Sequence, residues 1–214
     1  MTSPEFLAIQ SALCGLKAPI IVNLGAYHGE DHAVFLKAID RAAVLTYIMV
    51  EPDPNNCRTI RTHVPLSENV RLVEGAIYDA PGKRGFWRSR RINTEETGSG
   101  SLLKPSGHLK IIPDVVFTER IEVECFTLDE IFDVRRLEHI DLLWVDIQGA
   151  EAAMIRGGQK ALKHTHYCFM EAEEVELYEG QTLRPALIYL LPEWHLLGSF
   201  GPNILLQNGA YYHE

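Results

Sequence analysis

The stretch Asp141-Leu-Leu-Trp-Val-Asp146-Ile-Gln-Gly149-Ala-Glu151-Ala carries an apolar run into an acid and then turns at glycine. Such a run reads as a buried parallel strand delivering a carboxylate to the carboxyl rim of a sheet, where open α/β folds bind ligands. Asp146 can there act as a base, balance a cationic ligand, or simply cap the helix that follows. The earlier stretch Ile20-Ile-Val-Asn23-Leu-Gly25-Ala26-Tyr27-His28-Gly29 shows the same passage from apolar strand to glycine turn. Glycine lets backbone N–H groups approach a ligand closely. Both G-x-G-x-x-G and the P-loop lysine are missing, so a cofactor without phosphate fits better than a pyrophosphate; a plain strand-to-helix turn is the structural alternative. Glu51 ends the next apolar run, 26 residues beyond Gly25. An acid in that position of a β-α-β unit can accept both hydroxyls of a ribose. The two strand-to-turn stretches together suggest a nucleotide-type cofactor across the carboxyl ends of a doubly wound sheet, and Glu51 strengthens that reading.

Other residues could serve the second reactant. Glu171 and Glu173 fall at or just past a strand end, beside Asp146 in the expected topology. These acids could also hold a divalent cation, although nothing in their spacing demands one, and no metal ligand is assigned. His28 beside the glycine turn and His108 in a Gly/Ser-rich segment have the right chemistry for a base; a packed or surface imidazole is the bland reading of each. Lys83-Arg84-Gly-Phe-Trp87-Arg88-Ser-Arg90-Arg91 concentrates five cations in nine residues. It reads as a solvated hairpin, or as a grip for an anionic acceptor with Arg88 on the anion and Trp87 stacked on a sugar or base.

The elements that must position these groups follow from periodicity and breakers. Ser3-Pro4-Glu5 is an N-cap, a first-turn proline and an early acid, opening an N-terminal helix within residues 1–18. Strands are expected near 20–24, 46–50, 70–73, 119–126, 141–145, 166–171, 195–200 and 203–207, with helices near 30–43, 55–63, 150–162 and 183–191. Thr127-Leu-Asp-Glu130 has the form of a capping box. Residues 82–118 form an insert, irregular apart from a turn and short strand at 82–87, and placed near the acceptor site. Strands alternating with helices pair in parallel, and the last two strands, joined at Gly201-Pro202, must run antiparallel. The fold class is α/β: a Rossmann-like, doubly wound, mostly parallel sheet with an antiparallel C-terminal strand pair.

The 214 residues suit one domain, residues 1–214, of ordinary globular composition, 46% apolar and 23% charged. No apolar run is long enough to span a bilayer, and the N-terminus lacks the pattern of a secretory signal. Four scattered cysteines point to reduced thiols in a cytoplasmic setting. A formal charge of −9 argues against nucleic acid as a partner, because cations supply most non-specific affinity for phosphate. Oligomeric state is not legible.

These residues, taken together, resemble the FkbM-type methyltransferases. Ile140-Asp-Leu-Leu-Trp-Val-Asp146-Ile-Gln-Gly149-Ala150-Glu151, with Gly157-Gly158 after it, is similar to the family signature, and Asn23-Leu-Gly25-Ala26-Tyr-His-Gly29 to its S-adenosylmethionine loop. Glu51-Pro52, Gly98-Ser-Gly-Ser101-Leu102, Thr127-Leu128-Asp129-Glu130 and Phe169-Met170-Glu171 resemble further family segments in the same order, from about residue 20 to 200. The resemblance implies a class I methyltransferase fold with S-adenosylmethionine as donor, S-adenosylhomocysteine as product, and a hydroxyl of a small-molecule or glycan-like acceptor as the methylated group. It places Asn23, Gly25, Ala26, Tyr27 and Gly29 at the methionine part of the donor, Glu51 at the ribose, Gly75-Ala76-Ile77 at the adenine, and Ser101 at the substrate. Asp146 borders donor and acceptor; with Glu171 and His108 it forms the candidate catalytic set. Two positions depart from the pattern: Asn23 stands where an acid is common, and Gln148 where glutamate is usual. Both keep hydrogen bonding and lose charge. Two other readings remain open: a nucleic-acid-modifying methyltransferase that grips through residues 83–91, and a donor-binding module without turnover.

Overall fold

Five parallel strands form the centre of the protein: β1 (Ile20–Leu24), β2 (Thr46–Glu51), β3 (Val70–Glu74), β7 (Ile140–Val145) and β8 (Thr165–Glu171). A computed structural model describes residues 3–40, 42–94, 96 and 98–211. With β9 (Trp194–Phe200) and β10 (Asn203–Asn208) the strands make one seven-stranded sheet in the order β3-β2-β1-β7-β8-β10-β9. The last two strands are antiparallel, as expected, and β10 is also antiparallel to β8, so β10 alone runs against the rest. The chain reverses at β1 and β7, a topological switch point where α/β sheets open a crevice for ligands.

Both faces of this sheet are covered, which explains why its strands read as continuous apolar runs. Val22, Leu24, Ile48, Val50, Leu143 and Val145 face one side. They pack there with α5 (Leu128–Val134), α6 (Glu151–Gly157), α7 (Gln159–Lys163) and α8 (Arg184–Tyr189) through Leu128, Ile131, Met154, Leu162 and Leu187. Ile21, Tyr47, Met49 and Leu142 face the other side. Their partners are α1 (Pro4–Leu13), α2 (Asp31–Ala38) and α3 (Pro54–His63) through Ile9, Leu13, Phe35 and Ile60. The expected caps are present. Ser3 accepts from the Phe6 N–H, and Thr127 and Glu130 close a reciprocal capping box.

Two expectations are corrected. The helix expected over 150–162 is two helices. At the joint, a Cβ on Gly157 would meet the Tyr78 carbonyl at 2.6 Å and one on Gly158 would meet Leu128 at 2.8 Å, so the paired glycines allow a close approach that a continuous helix would block. The second concerns the insert and the strand after it. β5 (Gly82–Arg91) and β6 (Val115–Phe126) form a long antiparallel ribbon, and β6 also pairs in parallel with β4 (Ala76–Ile77) in a separate three-stranded sheet. A short helix, α4 (His108–Ile111), lies between the ribbon strands. The alternation of Arg120, Glu122 and Glu124 with Ile121, Val123 and Cys125 marks a half-exposed antiparallel strand, unsuited to the core of a parallel sheet. Two residues of the insert, Glu95 and Thr97, and Arg41 of the expected 30–43 helix lie outside the described residues.

Candidate functional site

The carboxyl ends of β1, β2 and β7 meet around a cavity of about 250 Å³. Gly25, Ala26, Tyr27, Glu51, Gly75, Ala76, Ile77 and Asp146, all expected to touch the donor, line it. Gly25 joins the strands. Its N–H and that of Ala26 donate to the Val50 carbonyl, and the Asp146 N–H donates to Leu24. Gly25 has φ +82°, and a Cβ there would sit 1.8 Å from the Asp146 carbonyl oxygen, so no other residue lets the β1 turn and the β7 end close together.

Glu51 lies at the cavity wall, only 4% exposed. Its Oε2 accepts from the Tyr27 N–H at 2.8 Å, and its Oε1 from the Asp53 N–H at 2.9 Å and Asn56 Nδ2 at 3.1 Å. Burial raises its carboxyl to about 7, against those hydrogen bonds, which favour the ionised form. Three donors thus fix this carboxylate on the cavity wall. Tyr27 sits at φ +50° and Gln148 at φ +52°, so two of the cavity's wall residues hold a left-handed conformation that costs roughly 1 kcal/mol or more each for a side chain of this kind.

The β7 end carries a second polar group. Gln148 Nε2 donates to Asp146 Oδ1 at 2.6 Å and to Glu171 Oε2 at 2.9 Å. The Tyr178 hydroxyl, 2.6 Å from Gln148 Oε1, fixes which way the amide faces. Burial raises both carboxyls, and the Asp146 charge raises Glu171 further. Both carboxyls are thus pushed toward the protonated form, Glu171 under the added repulsion of Asp146. Ser101 anchors this loop: its Oγ donates to the Gln148 carbonyl at 2.6 Å and accepts from the Leu103 N–H. Glu151 accepts from the Gly149 N–H, and burial moves its carboxyl up to about 7.

Other expected residues lie elsewhere. Asn23 is fully buried beneath the turn, its Nδ2 donating to Asp31 Oδ2 and Tyr47 Oη. Gly29 packs on Val64 and Ile60. Arg88, expected at the acceptor, donates twice to the buried Asp53, at 2.7 and 3.0 Å, and once to Glu119. Trp87 exchanges backbone hydrogen bonds with Ser101, and the Arg120 guanidinium lies over its ring. His108 is 1% exposed, with its ring against Phe117 and Tyr178; burial lowers its pKa. Trp87, Arg88 and His108 are not among the cavity's lining residues. Within the basic segment, Lys83 pairs with Glu122 and Glu124, Arg84 with Asp79, and Arg91 with Glu96 and Asp114. Its charge is thus largely answered across the ribbon. Among the described residues no cluster of three or more His, Cys, Asp or Glu could hold a metal, and no helix is long and apolar enough to cross a membrane.

Sequence reasoning missed Asp31, Phe86, Trp144 and Gly100, which also line the cavity. Phe86 and Gly100 arrive from the ribbon and the loop after it, whose placement periodicity does not encode. A second recess of about 450 Å³ shares Tyr27, Glu30 and Gly98 with the first and adds His28, Ser89, Arg91 and Glu96. Together the two recesses fall within the ~300–1,000 Å³ of small-molecule sites.

Residues 23–198 match the Methyltransferase FkbM domain family. The chain is 35% identical over 184 residues to the 2-O-methyltransferase NoeI of Sinorhizobium fredii (strain NBRC 101917 / NGR234), covering 85% of this chain and 74% of that protein. Its fold is similar to the crystal structure of Methyltransferase FkbM from Methylobacillus flagellatus KT, with TM-score 0.56 and 14% identity over 89% of this chain; the chain spans 44% of that longer one. Precorrin-6y C5,15-methyltransferase from Geobacter metallireducens GS-15 shares the fold at TM-score 0.50 and 13% identity, over 97% and 89% of the two chains. The protein belongs to the FkbM methyltransferase family.

Proposed function

We propose that this protein transfers a methyl group from S-adenosylmethionine to a hydroxyl oxygen of a small, sugar-like acceptor. One observation carries the reading. The cavity at the switch point is lined by four carboxylates, Glu30, Asp31, Glu51 and Asp146, with no Lys, Arg or His among its described lining residues. Such a wall repels phosphate and accepts a ligand that is cationic and polyhydroxylated. The glycine turn and the fixed Glu51 suit the ribose of such a ligand, and Ala76, Ile77 and Phe86 suit its flat base. When bound, the donor supplies an electrophilic methyl on a positively charged sulfur. The protein's own part is to orient, exclude water and take a proton.

Asp146 is the residue we assign to the acceptor hydroxyl. As the new O–CH₃ bond forms and the S–CH₃ bond breaks, the hydroxyl proton passes to the Asp146 carboxylate. Burial raises Asp146 and so makes it a stronger base. Gln148, itself held by Glu171, fixes the Asp146 carboxylate in place. Gln148, where glutamate is usual, keeps a third carboxyl from joining Asp146 and Glu171 at this end of the site. A positioned base contributes roughly 10²–10⁴-fold, and near-attack alignment more. The second recess, with Ser89, Arg91 and Glu96 on its wall, is of a polar kind that suits a sugar. The 2-O-methyltransferase name of the Sinorhizobium relative supports a hydroxyl acceptor. His108, buried against Phe117 and Tyr178, is not part of this assignment. Calorimetric titration with S-adenosylhomocysteine tests the first step: saturable one-site binding is expected, and no heat at high micromolar ligand contradicts it.

A further inference from the structure

Asp31 is a cavity carboxylate assigned neither to the ribose nor to the acceptor hydroxyl. It opens helix α2, lines the cavity, and is held by Asn23, whose Nδ2 donates to Asp31 Oδ2 at 3.0 Å. Asn23 is itself pinned by the Tyr47 hydroxyl at 2.8 Å, and Tyr47 is wholly buried against Phe35. The carboxylate therefore sits on a rigid support. Its setting is unfavourable without a ligand: burial, Asp146 and Glu30 push its carboxyl up to about 6 despite the Asn23 hydrogen bond.

Sheet order assigns the charge a direction. Glu51 ends β2, Asp146 follows β7, and β1, which carries Asn23, lies between them. The donor's sulfur has three substituents: the ribosyl carbon, the transferable methyl and the amino-acid chain. With the ribose over β2 and the methyl aimed at Asp146 over β7, the third substituent leaves over β1, toward the start of α2. A helix N-terminus alone favours an anion there. A carboxylate in its first turn reverses that preference and accepts a cation. Resting on the donor assignment above, we propose that Asp31 is the partner of the donor's α-ammonium group. Asn23, at the strand end, holds that carboxylate in place. The negative charge that a carboxylate at position 23 would place under the turn is thus supplied from α2 instead.

The test is a cycle between protein and ligand, read by calorimetry. Wild type and Asp31→Asn are each titrated with S-adenosylhomocysteine and with its deaminated analogue, which lacks only the α-amino group. Wild type should bind the deaminated analogue about 10- to 100-fold more weakly, the loss expected for a charge-assisted hydrogen bond. Asp31→Asn should bind the two ligands within about threefold of each other, because the pairing is gone. If the asparagine variant does not fold, Asp31→Ser, which can still accept from Asn23, takes its place. Wild type that is indifferent to the amine overturns the assignment, as does a variant that discriminates as strongly as wild type. If wild type binds neither ligand, the donor assignment itself fails, an outcome distinct from the other two.

Discussion

Donor binding should release protons, and Glu51 sets how many. Its carboxyl is raised to about 7 by burial, so in the ligand-free protein it is close to half protonated at neutral pH. In the proposed complex, ribose hydroxyls donate to the ionised form and stabilise it, so Glu51 is held charged there. Linkage then gives release of ~0.5 proton per donor at pH 7, ~0.9 at pH 6 and ~0.1 at pH 8 from this group. Affinity for S-adenosylhomocysteine should correspondingly improve about tenfold between pH 6 and pH 8. Asp31, near 6, adds roughly a further twofold at the acid end. The assay is calorimetry in buffers of different ionisation enthalpy, with wild type and Glu51→Gln compared. The variant should show proton release reduced by about half a proton at pH 7. It should also bind about 10- to 100-fold more weakly, because its amide must turn an N–H toward the Tyr27, Asp53 or Asn56 donors and leaves one of these unmatched. Buffer-independent heats for wild type at pH 7, or equal release from both proteins, would refute the reasoning.

Four further outcomes follow. Gly25→Ala combines a left-handed φ with a contact of 1.8 Å to backbone, so it should lower stability by about 2–4 kcal/mol and abolish measurable donor binding; thermal melts and titration read both. Asp146→Asn should lower kcat by roughly 10²–10⁴-fold while S-adenosylhomocysteine affinity stays within a few-fold, and an unchanged kcat would remove the base assignment. Arg88→Ala leaves the buried Asp53 with its N-cap bond to Asn55 but no guanidinium; a loss of about 2–3 kcal/mol is expected, a Tm drop of ~4–12 °C, with acceptor KM unchanged. Glu51 and Glu151 both sit above the ordinary glutamate range, near 7, so the folded state holds their protons longer than the unfolded chain. Stability of the ligand-free protein should therefore be fullest below pH 4.5 in these two contributions and fall as pH rises through 7; Glu51→Gln should flatten its share in melts taken from pH 5 to 8.

The parts of the site carried by strand ends were legible because a buried strand announces itself and its last residue must face the rim. Gly25, Glu51 and Asp146 follow from that rule, and β1, β2 and β7 are neighbours in the sheet. Asp31 was not legible, because its role depends on α2 beginning where its side chain meets Asn23, a contact between residues eight apart that no periodicity encodes. Arg88 misled for a related reason. A cation in a basic run looks available for a ligand until the fold brings Asp53 and Glu119 against it. The ribbon of β5 and β6 was readable in principle, since Lys83 faces Glu124 and Arg88 faces Glu119 across it. Its β6 partner instead read as another strand of the main sheet. The helix break at Gly157-Gly158 needed the neighbours Tyr78 and Leu128 to explain it.

A crystal structure of the protein with S-adenosylhomocysteine tests the central claim most directly. The account predicts both ribose hydroxyls on Glu51, the base between Ala76, Ile77 and Phe86, and the sulfur's open face toward Asp146. A nucleoside bound elsewhere, with side chains filling the space between Gly25 and Glu51, would contradict it.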